Sequence, residues 1–469
     1  MVIQNKLLLF LSLLFMQGLL QANQQVLIKD LFELPCKAET LTPENLFELQ
    51  NIVTQASSRH KKIALIGANK SMGGQTQSYD DGAWRVSLDK INKLKNLNVQ
   101  DKLVTVEAGM TWEQLQSIIT PHGLAIKAMQ SFKDFSIGGS LSVNVHGQDL
   151  KEGQLINSVH SFTLLMTDGS LKTVTRAKDP ELFSLVVGGY GLFGIIIEVT
   201  LELTEDKVLE RKAVTFETKD FASFFKNNVQ DNPNIEFWSV RFSLGSNDLY
   251  TRALSITYEA TDQGSPKDLV IKEDNYQLWA LKAFGLVKPF KVLNNVRFDI
   301  EAAFFKRPKL ISRNNFMNGS IKRLPQNNKK DMYILQEYFI PYDNVNSFLE
   351  HFAALTKQYN INILNITARH VGKDTNAFLS FAPQDACALV LYIRVPKKDT
   401  DYLTTAIWTS KLLDKCLDLN GVYYLPYQLL ATRDQLERAY PQVRNFMDLK
   451  RKYDPLEILT NKMYEHYAY

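Results

Sequence analysis

Three glycine-rich segments, each set against an apolar strand, constrain this 469-residue chain more than any other feature. The first is Gly67-Ala68-Asn69-Lys70-Ser71-Met72-Gly73-Gly74-Gln75, directly after the short apolar run 63–66. The second is Ser136-Ile137-Gly138-Gly139-Ser140-Leu141-Ser142-Val143-Asn144-Val145-His146-Gly147. The third, Gly188-Gly189-Tyr190-Gly191-Leu192-Phe193-Gly194, opens into a long apolar strand over 195–203 that begins at Ile195. Glycine lets the backbone take positive φ and come close to a bound group. Successive N–H groups can then form a nest around a phosphate. One such turn beside a strand is commonplace and most bind nothing. Three in order are hard to explain by packing alone.

Length and composition allow more than one domain and a large core. The net charge of +4 is small for 469 residues, and the lysines form no long block, so no nucleic-acid partner is expected. Lys6 followed by the apolar run 7–16 and by Gly18, Leu19, Leu20, Gln21 and Ala22 reads as a signal peptide cut after Ala22. That reading implies export, to the periplasm or the medium. The run is short for a membrane-spanning helix. Cys36, Cys387 and Cys416 allow at most one internal disulfide, with Cys387–Cys416 open as a pair. The seven histidines form no HExxH or similar pair, so no metal site is expected.

Taken in order, the first part alternates helices and strands. A helix starting at Thr42 or Pro43 carries Leu46, Leu49, Ile52 and Val53 at helical spacing. Strands follow at 84–88 and 103–106, joined by a polar connection. Thr111 caps a helix stopped at Pro121-His122-Gly123. Asp168-Gly169 reads as a hairpin turn, and Asp179-Pro180 starts a short helix. Beyond residue 206 alternating strands are expected at 236–243, 250–258, 332–340, 362–369 and 386–395. Helices start at Asp343 and Thr400. The polar, basic stretch 306–330 reads as a mobile loop covering a pocket, its basic residues solvated.

The ordered motifs GANKSMGGQ, VEAGMTWEQL, FSIGGSLSVNVHG and VVGGYGLFGIIIEVTLEL resemble the FAD-binding domain of the vanillyl-alcohol-oxidase (PCMH-type) flavoproteins. Within that superfamily the chain is most similar to the sugar, aldonolactone and alditol oxidases and to the decaprenylphosphoryl-ribose oxidase group. The resemblance implies an α+β fold. It comprises a two-subdomain FAD-binding domain over 23–205 and an α+β substrate (cap) domain with an antiparallel sheet over 206–439. A C-terminal segment, 440–469, returns to the FAD domain. It also implies FAD held by the loop 67–75, by the segment 136–147 beside the isoalloxazine, and by Gly189, Gly191, Gly194 and Ile195. Relatives that attach FAD through histidine carry it just before the loop serine. Lys70 stands there, and no cysteine follows His146-Gly147, so non-covalent FAD is expected.

The implied chemistry is oxidation of a hydroxyl on a sugar, polyol, aldonolactone or lipid-linked sugar. Electrons pass to oxygen, a quinone or a cytochrome. The other readings are a dehydrogenase using a quinone or cytochrome, and a flavin-binding subunit without turnover. A lipid-linked substrate brings in contact with a membrane surface. Flavin supplies the hydride acceptor, so the protein must manage the hydroxyl proton and position the substrate. Gln336-Glu337-Tyr338 resembles the segment whose polar residues face substrate. Arg369 resembles the arginine near the flavin, and a buried Glu337–Arg369 pair is expected. Where relatives place a lysine, this chain has Tyr427. Glu337 and His370 are the alternative bases.

Overall fold

The computed structural model describes residues 29–33, 37–269 and 291–468. The expected leader at 1–22 and Cys36 lie outside the described residues. The described residues form a mixed helix-and-sheet fold with three sheets.

The first sheet is parallel, in the order β1 (Glu39–Leu41), β3 (Trp84–Ser87), β2 (Ile63–Ile66). Parallel neighbours need a crossover. Helix α1 (Leu46–Ser58) lies in the first one. It starts later than Thr42 or Pro43, because Asn45 is the residue whose side chain accepts from the orphan Glu48 N–H (3.0 Å). Leu49, Val53 and Ala56 pack with Ile63, Val86, Ile195 and Ile197 in a small separate core. The far end of the chain closes that core. Ile63 N donates to Ile458 O at 2.7 Å, and Thr460 N donates to Ile63 O at 2.8 Å.

The second sheet is antiparallel. It contains β4 (Leu94–Asn98), β5 (Leu103–Glu107), β6 (Leu124–Ile126), β7 (Val159–Leu165), β8 (Leu171–Thr175) and β9 (Ile195–Glu205). The order is β4-β5-β9-β7-β8, with β6 also on β9. Strand β4 falls where a polar connection was expected; as a largely exposed edge strand it carries little apolar alternation. Helix α2 (Trp112–Ile119) opens with a complete Thr111/Gln114 capping box. The second glycine segment is a short helix, α3 (Ile137–Ser142), rather than a turn. A Cβ on Gly138 would meet Ala108 Cβ at 2.8 Å, so the residue is small because α3 lies against the end of β5. Helix α4 (Pro180–Val186) precedes the third segment.

The third sheet has eight antiparallel strands. They are β10 (Val208–Glu217), β11 (Ile235–Phe242), β12 (Arg252–Ala260), β13 (Lys309–Ser312), β14 (Asp331–Ile340), β15 (Asn362–Val371), β16 (Ala386–Pro396) and β17 (Val422–Tyr423). Their order is β13-β10-β12-β11-β15-β16-β14-β17. Helices α6 (Val345–Tyr359) and α7 (Asp399–Asp418) pack together over one face. A turn over Tyr342–Asn344 precedes α6, and Asp343 does not cap it. Helix α5 (Lys291–Phe305) packs on the other face, where Phe298, Ala302 and Phe305 cover Leu254 and Ile256. The helices are therefore not confined to one face. Cys387 and Cys416 are buried free thiols, which removes the disulfide left open by the sequence.

The stretch 306–330 is a solvated loop only in part: Lys306, Arg307, Lys322, Lys329 and Lys330 are exposed as expected, but its middle is not. It supplies β13, and its Arg313 is buried, with Nη2 2.5 Å from Asp149 Oδ2 and Nη1 2.9 Å from Glu236 Oε2. This cation joins the chain just after the second glycine segment to strand β11 of the large sheet.

Candidate active site

A cavity of about 450 Å³ lies where the three glycine segments meet the helix-α5 face of the eight-stranded sheet. Such a volume is usual for small-molecule sites. One end is the loop after β2, where Gly67, Ala68, Asn69, Lys70, Ser71, Met72 and Gln75 line the wall. Any side chain on Gly67 would collide with Ser136, since its Cβ would sit 2.1 Å from Ser136 Oγ. That hydroxyl accepts from Ala68 N at 3.1 Å, so the first two glycine segments clasp each other through one serine. Asn69 holds a left-handed φ of 54°, which asparagine tolerates. Within the loop Ser71 Oγ donates to Gln75 Oε1, and Gly73 N donates to the same oxygen at 3.2 Å. The loop is thus fixed by its own side chains, leaving backbone at the cavity wall.

The middle of the cavity is lined by Ser136, Gly138, Gly139, Ser142, Val143, Val145 and His146, and by Tyr190, Gly191, Gly194 and Ile196 of the third segment. The remaining predicted contacts do not reach it. Gly73, Gly147 and Gly189 face backbone: a Cβ there would meet Tyr427 O, Met129 O and Leu185 O at 2.1, 2.3 and 1.8 Å. Gly74 O accepts from Lys462 N at 3.2 Å. Ile137 and Ile195 are core residues. Asn144 is a structural clamp, donating to Asp374 Oδ2 at 3.1 Å and accepting from Ile156 N at 3.0 Å.

The sheet supplies the opposite wall, and its period of two decides which residues face inward. On β14, Leu335 and Glu337 line the cavity, while Gln336 donates to Thr409 on α7 at 2.9 Å and Tyr338 packs on Phe348 of α6. Gln336 and Tyr338 therefore face away from any substrate, and only Glu337 of that triplet faces inward. On β15, Asn365, Thr367 and Arg369 line the cavity. His370 has the other parity. It stacks on Phe225 at 5.2 Å, and its Nδ1 sits 2.8 Å from Tyr342 Oη. Burial pushes the His370 imidazole down, with Asp385 opposing, so it is neutral at pH 7. It does not reach the cavity and cannot act as the alternative base.

Glu337 is the centre of the inner wall. Its Oε1 lies 2.7 Å from His146 Nε2, and its Oε2 accepts from Tyr427 Oη at 3.1 Å. The expected Glu337–Arg369 ion pair does not form. Among the described residues the Arg369 side chain has no hydrogen-bonding or ion-pair partner, and it acts on Glu337 only through its charge. Burial pushes the Glu337 carboxyl up, but His146, Arg369 and Tyr427 more than reverse this and hold it below the usual carboxylate range. Burial and the negative Glu337 push the Tyr427 hydroxyl well above its ordinary value, so it keeps its proton and donates.

The segment 315–324 lines the far wall, as expected of a stretch covering a pocket, but sequence reasoning missed the rest of that wall, built by Arg241 of β11 and by Arg297, Glu301 and Phe305 of α5. Glu301 lies 2.9 Å from Arg297 Nε and 3.6 Å from Arg241 Nη1. Strand parity marks Ser239 and Arg241 as one face of β11, but parity alone does not say which face meets the cavity. Tyr190 and Tyr424 were also missed. Tyr190 holds φ 57° between glycines, a conformation the sequence does not announce for a tyrosine.

The wall suits a flavin dinucleotide. Backbone is presented at the loop end, small residues Gly139 and Ser142 leave room for a flat ring, and the buried His146 Nδ1 has no protein partner. Comparison with known proteins agrees. Residues 38–175 match the family model described as FAD binding domain. D-arabinono-1,4-lactone oxidase of Yarrowia lipolytica is 31% identical over 182 residues, 38% of this chain and 34% of that protein. Decaprenylphosphoryl-beta-D-ribose oxidase of Mycolicibacterium smegmatis is 29% identical over 173 residues, 36% of this chain and 37% of that protein. Mitochondrial L-galactono-1,4-lactone dehydrogenase of Arabidopsis thaliana is 26% identical over 201 residues, 43% of this chain and 32% of that protein. The match spans about a third of the length of these relatives. The chain thus carries a PCMH-type FAD-binding domain and is related to sugar and aldonolactone oxidases and dehydrogenases.

Proposed function

We propose that this protein is an FAD-dependent oxidoreductase that oxidises a CH–OH group of a sugar, polyol, aldonolactone or lipid-linked sugar. One observation carries the reading. Glu337, Tyr427, His146 and Arg369 converge on one cavity whose other end is the glycine loop of an FAD-binding domain. The flavin, when bound, supplies the hydride acceptor. The chain supplies the rest. The loop 67–75 would hold the diphosphate through N–H groups not already spent on Ser136, Ser71 and Gln75, α3 and Val145 would line the ring's place, and Arg369 would offer an unpaired cation to the substrate oxygen.

FAD is held without a covalent bond. Lys70 before Ser71 and the cysteine-free run 148–153 support this. The purified protein is expected to show a flavin spectrum, and acid precipitation to leave the flavin in the supernatant. Reduction of that flavin by a member of a polyol and lactone panel then identifies the substrate class. A colourless protein that takes up no added FAD overturns the proposal. The electron acceptor is oxygen, a quinone or a cytochrome. Val145, which lines the cavity beside His146, slightly favours a dehydrogenase over an oxidase; fast turnover with dissolved oxygen as sole acceptor overturns that choice.

Export, read from residues 1–22, belongs to the same proposal, and sequencing the N-terminus of the mature protein checks it. So does contact with a membrane surface, checked by sedimentation with anionic vesicles. Among the described residues no helix is long and apolar enough to cross a membrane.

A further inference from the structure

We propose that Tyr427 is the group that takes the substrate's hydroxyl proton, relaying its own to Glu337, and that His146 is the positioning residue that holds Glu337 ready to receive it. This inference rests on the proposed function and specifies how the proton leaves.

The geometry of Glu337 carries it. Oε1 is buried and lies 2.7 Å from His146 Nε2, an ion-pair contact without the alignment of a hydrogen bond. Oε2 accepts from Tyr427 Oη at 3.1 Å. The carboxylate therefore already has a neighbour at each oxygen. Tyr427 is the less buried end of the network and lines the cavity, so its hydroxyl oxygen can meet a bound alcohol. The position of Tyr427 is fixed by backbone, because Gly73 leaves no space between the loop and Tyr427 O. A tyrosine is a poor base alone, since its proton is held tightly. In a concerted relay it never becomes one. The substrate O–H bond breaks as a new O–H bond forms on Tyr427. The original Tyr427 O–H bond breaks as its proton lands on Glu337 Oε2. A flavin, when bound, would supply the acceptor for the C–H hydrogen and its electron pair, so that the C=O bond could form as the proton leaves.

His146 serves from behind. It sits after α3, whereas Glu337 is on β14, so the 2.7 Å contact spans two parts of the fold. Phe339, Phe381 and Tyr424 surround its ring at 5.4, 5.6 and 5.9 Å and fix its orientation. The charged and titratable groups facing Glu337 are His146, Arg369 of β15, and Tyr424, Tyr427 and Tyr440 from the chain after β17.

Two measurements on the full-length flavoprotein test this. In stopped flow, the panel alcohol that reduces wild-type flavin fastest should reduce that of Tyr427→Phe about 10²–10⁴-fold more slowly. The flavin content should be unchanged, and the solvent isotope effect should be lost. Infrared titration of the carboxyl band, assigned by its absence in Glu337→Gln, needs no substrate. Its midpoint should move to higher pH in both His146→Gln and Tyr427→Phe. A wild-type reduction rate in Tyr427→Phe overturns the relay while leaving the proposed function intact. An unmoved midpoint in both variants overturns it as well. If His146→Gln fails to fold, His146→Asn takes its place in the titration, and Tyr427→Phe decides the relay. A wild-type flavin that no alcohol in the panel reduces overturns the proposed function, and the relay with it.

Discussion

At the scale of single residues, two substitutions separate the cavity from the packing around it. Gly67→Ala places a Cβ 2.1 Å from Ser136 Oγ, and that hydroxyl also holds Ala68 N. Relief means moving either the loop or α3. The expected cost is about 1–3 kcal/mol with loss of bound flavin, read as a lower melting temperature and a lower flavin-to-protein absorbance ratio. His370→Gln is expected to leave flavin reduction unchanged and to lower stability, because His370 stacks on Phe225 and contacts Tyr342 away from the cavity. Steady-state kinetics beside thermal denaturation check this pair of effects. Glu337 gives a pH dependence with a defined sign. Its folded carboxyl is held below the ordinary 4.5, so its contribution to stability is fully present above that value. It is lost as pH falls below about 4.5 and the folded carboxyl protonates. Urea denaturation of wild type and Glu337→Gln from pH 7 to 3.5 should show two curves that converge on the acid side.

At the scale of elements, capping and strand parity do most of the placing. Helix α1 begins where Asn45 can accept the Glu48 N–H, so Asn45→Ala should cost about 1 kcal/mol in chemical denaturation with no change in cavity chemistry. On β14 and β15, alternation sends Glu337 and Arg369 to the cavity and Gln336, Tyr338 and His370 to the other face. The triplet Gln336-Glu337-Tyr338 looks uniformly polar in sequence. The sheet splits it, and only the middle residue meets the cavity.

At the scale of the whole molecule, Arg313 ties the segment before β14 to the chain after the second glycine segment. Its guanidinium is flanked by Asp149 and Glu236, all three buried. Removing it leaves buried Asp149 without its cation, while Glu236 keeps Lys151 and Lys207 at 3.0 and 3.2 Å. Arg313→Met should therefore cost about 3–5 kcal/mol, seen as a fall in denaturation midpoint together with loss of flavin. A larger drop in flavin affinity than in stability would show that this ion cluster also sets the cavity's shape.

Some of this was fixed before any folding. The order of glycine segments and strands identified an FAD-binding domain, because backbone approach to a dinucleotide needs residues without side chains at defined points along the chain. Most strands beyond residue 206 were legible from alternation. Strand β4 was not, since an exposed edge strand needs no apolar face. The stretch 306–330 was read as solvated because its composition is that of a loop. Its buried arginine makes sense only beside two acidic residues more than 70 positions away in sequence. The same limit applies at the cavity. Sequence named Glu337, Tyr427 and His146 separately, but the distance of each from the others is set by three non-adjacent segments meeting in space. Which of Arg369 and His146 stands against Glu337 was decided there, since a carboxylate's partner is whichever group the tertiary fold brings within about 3 Å.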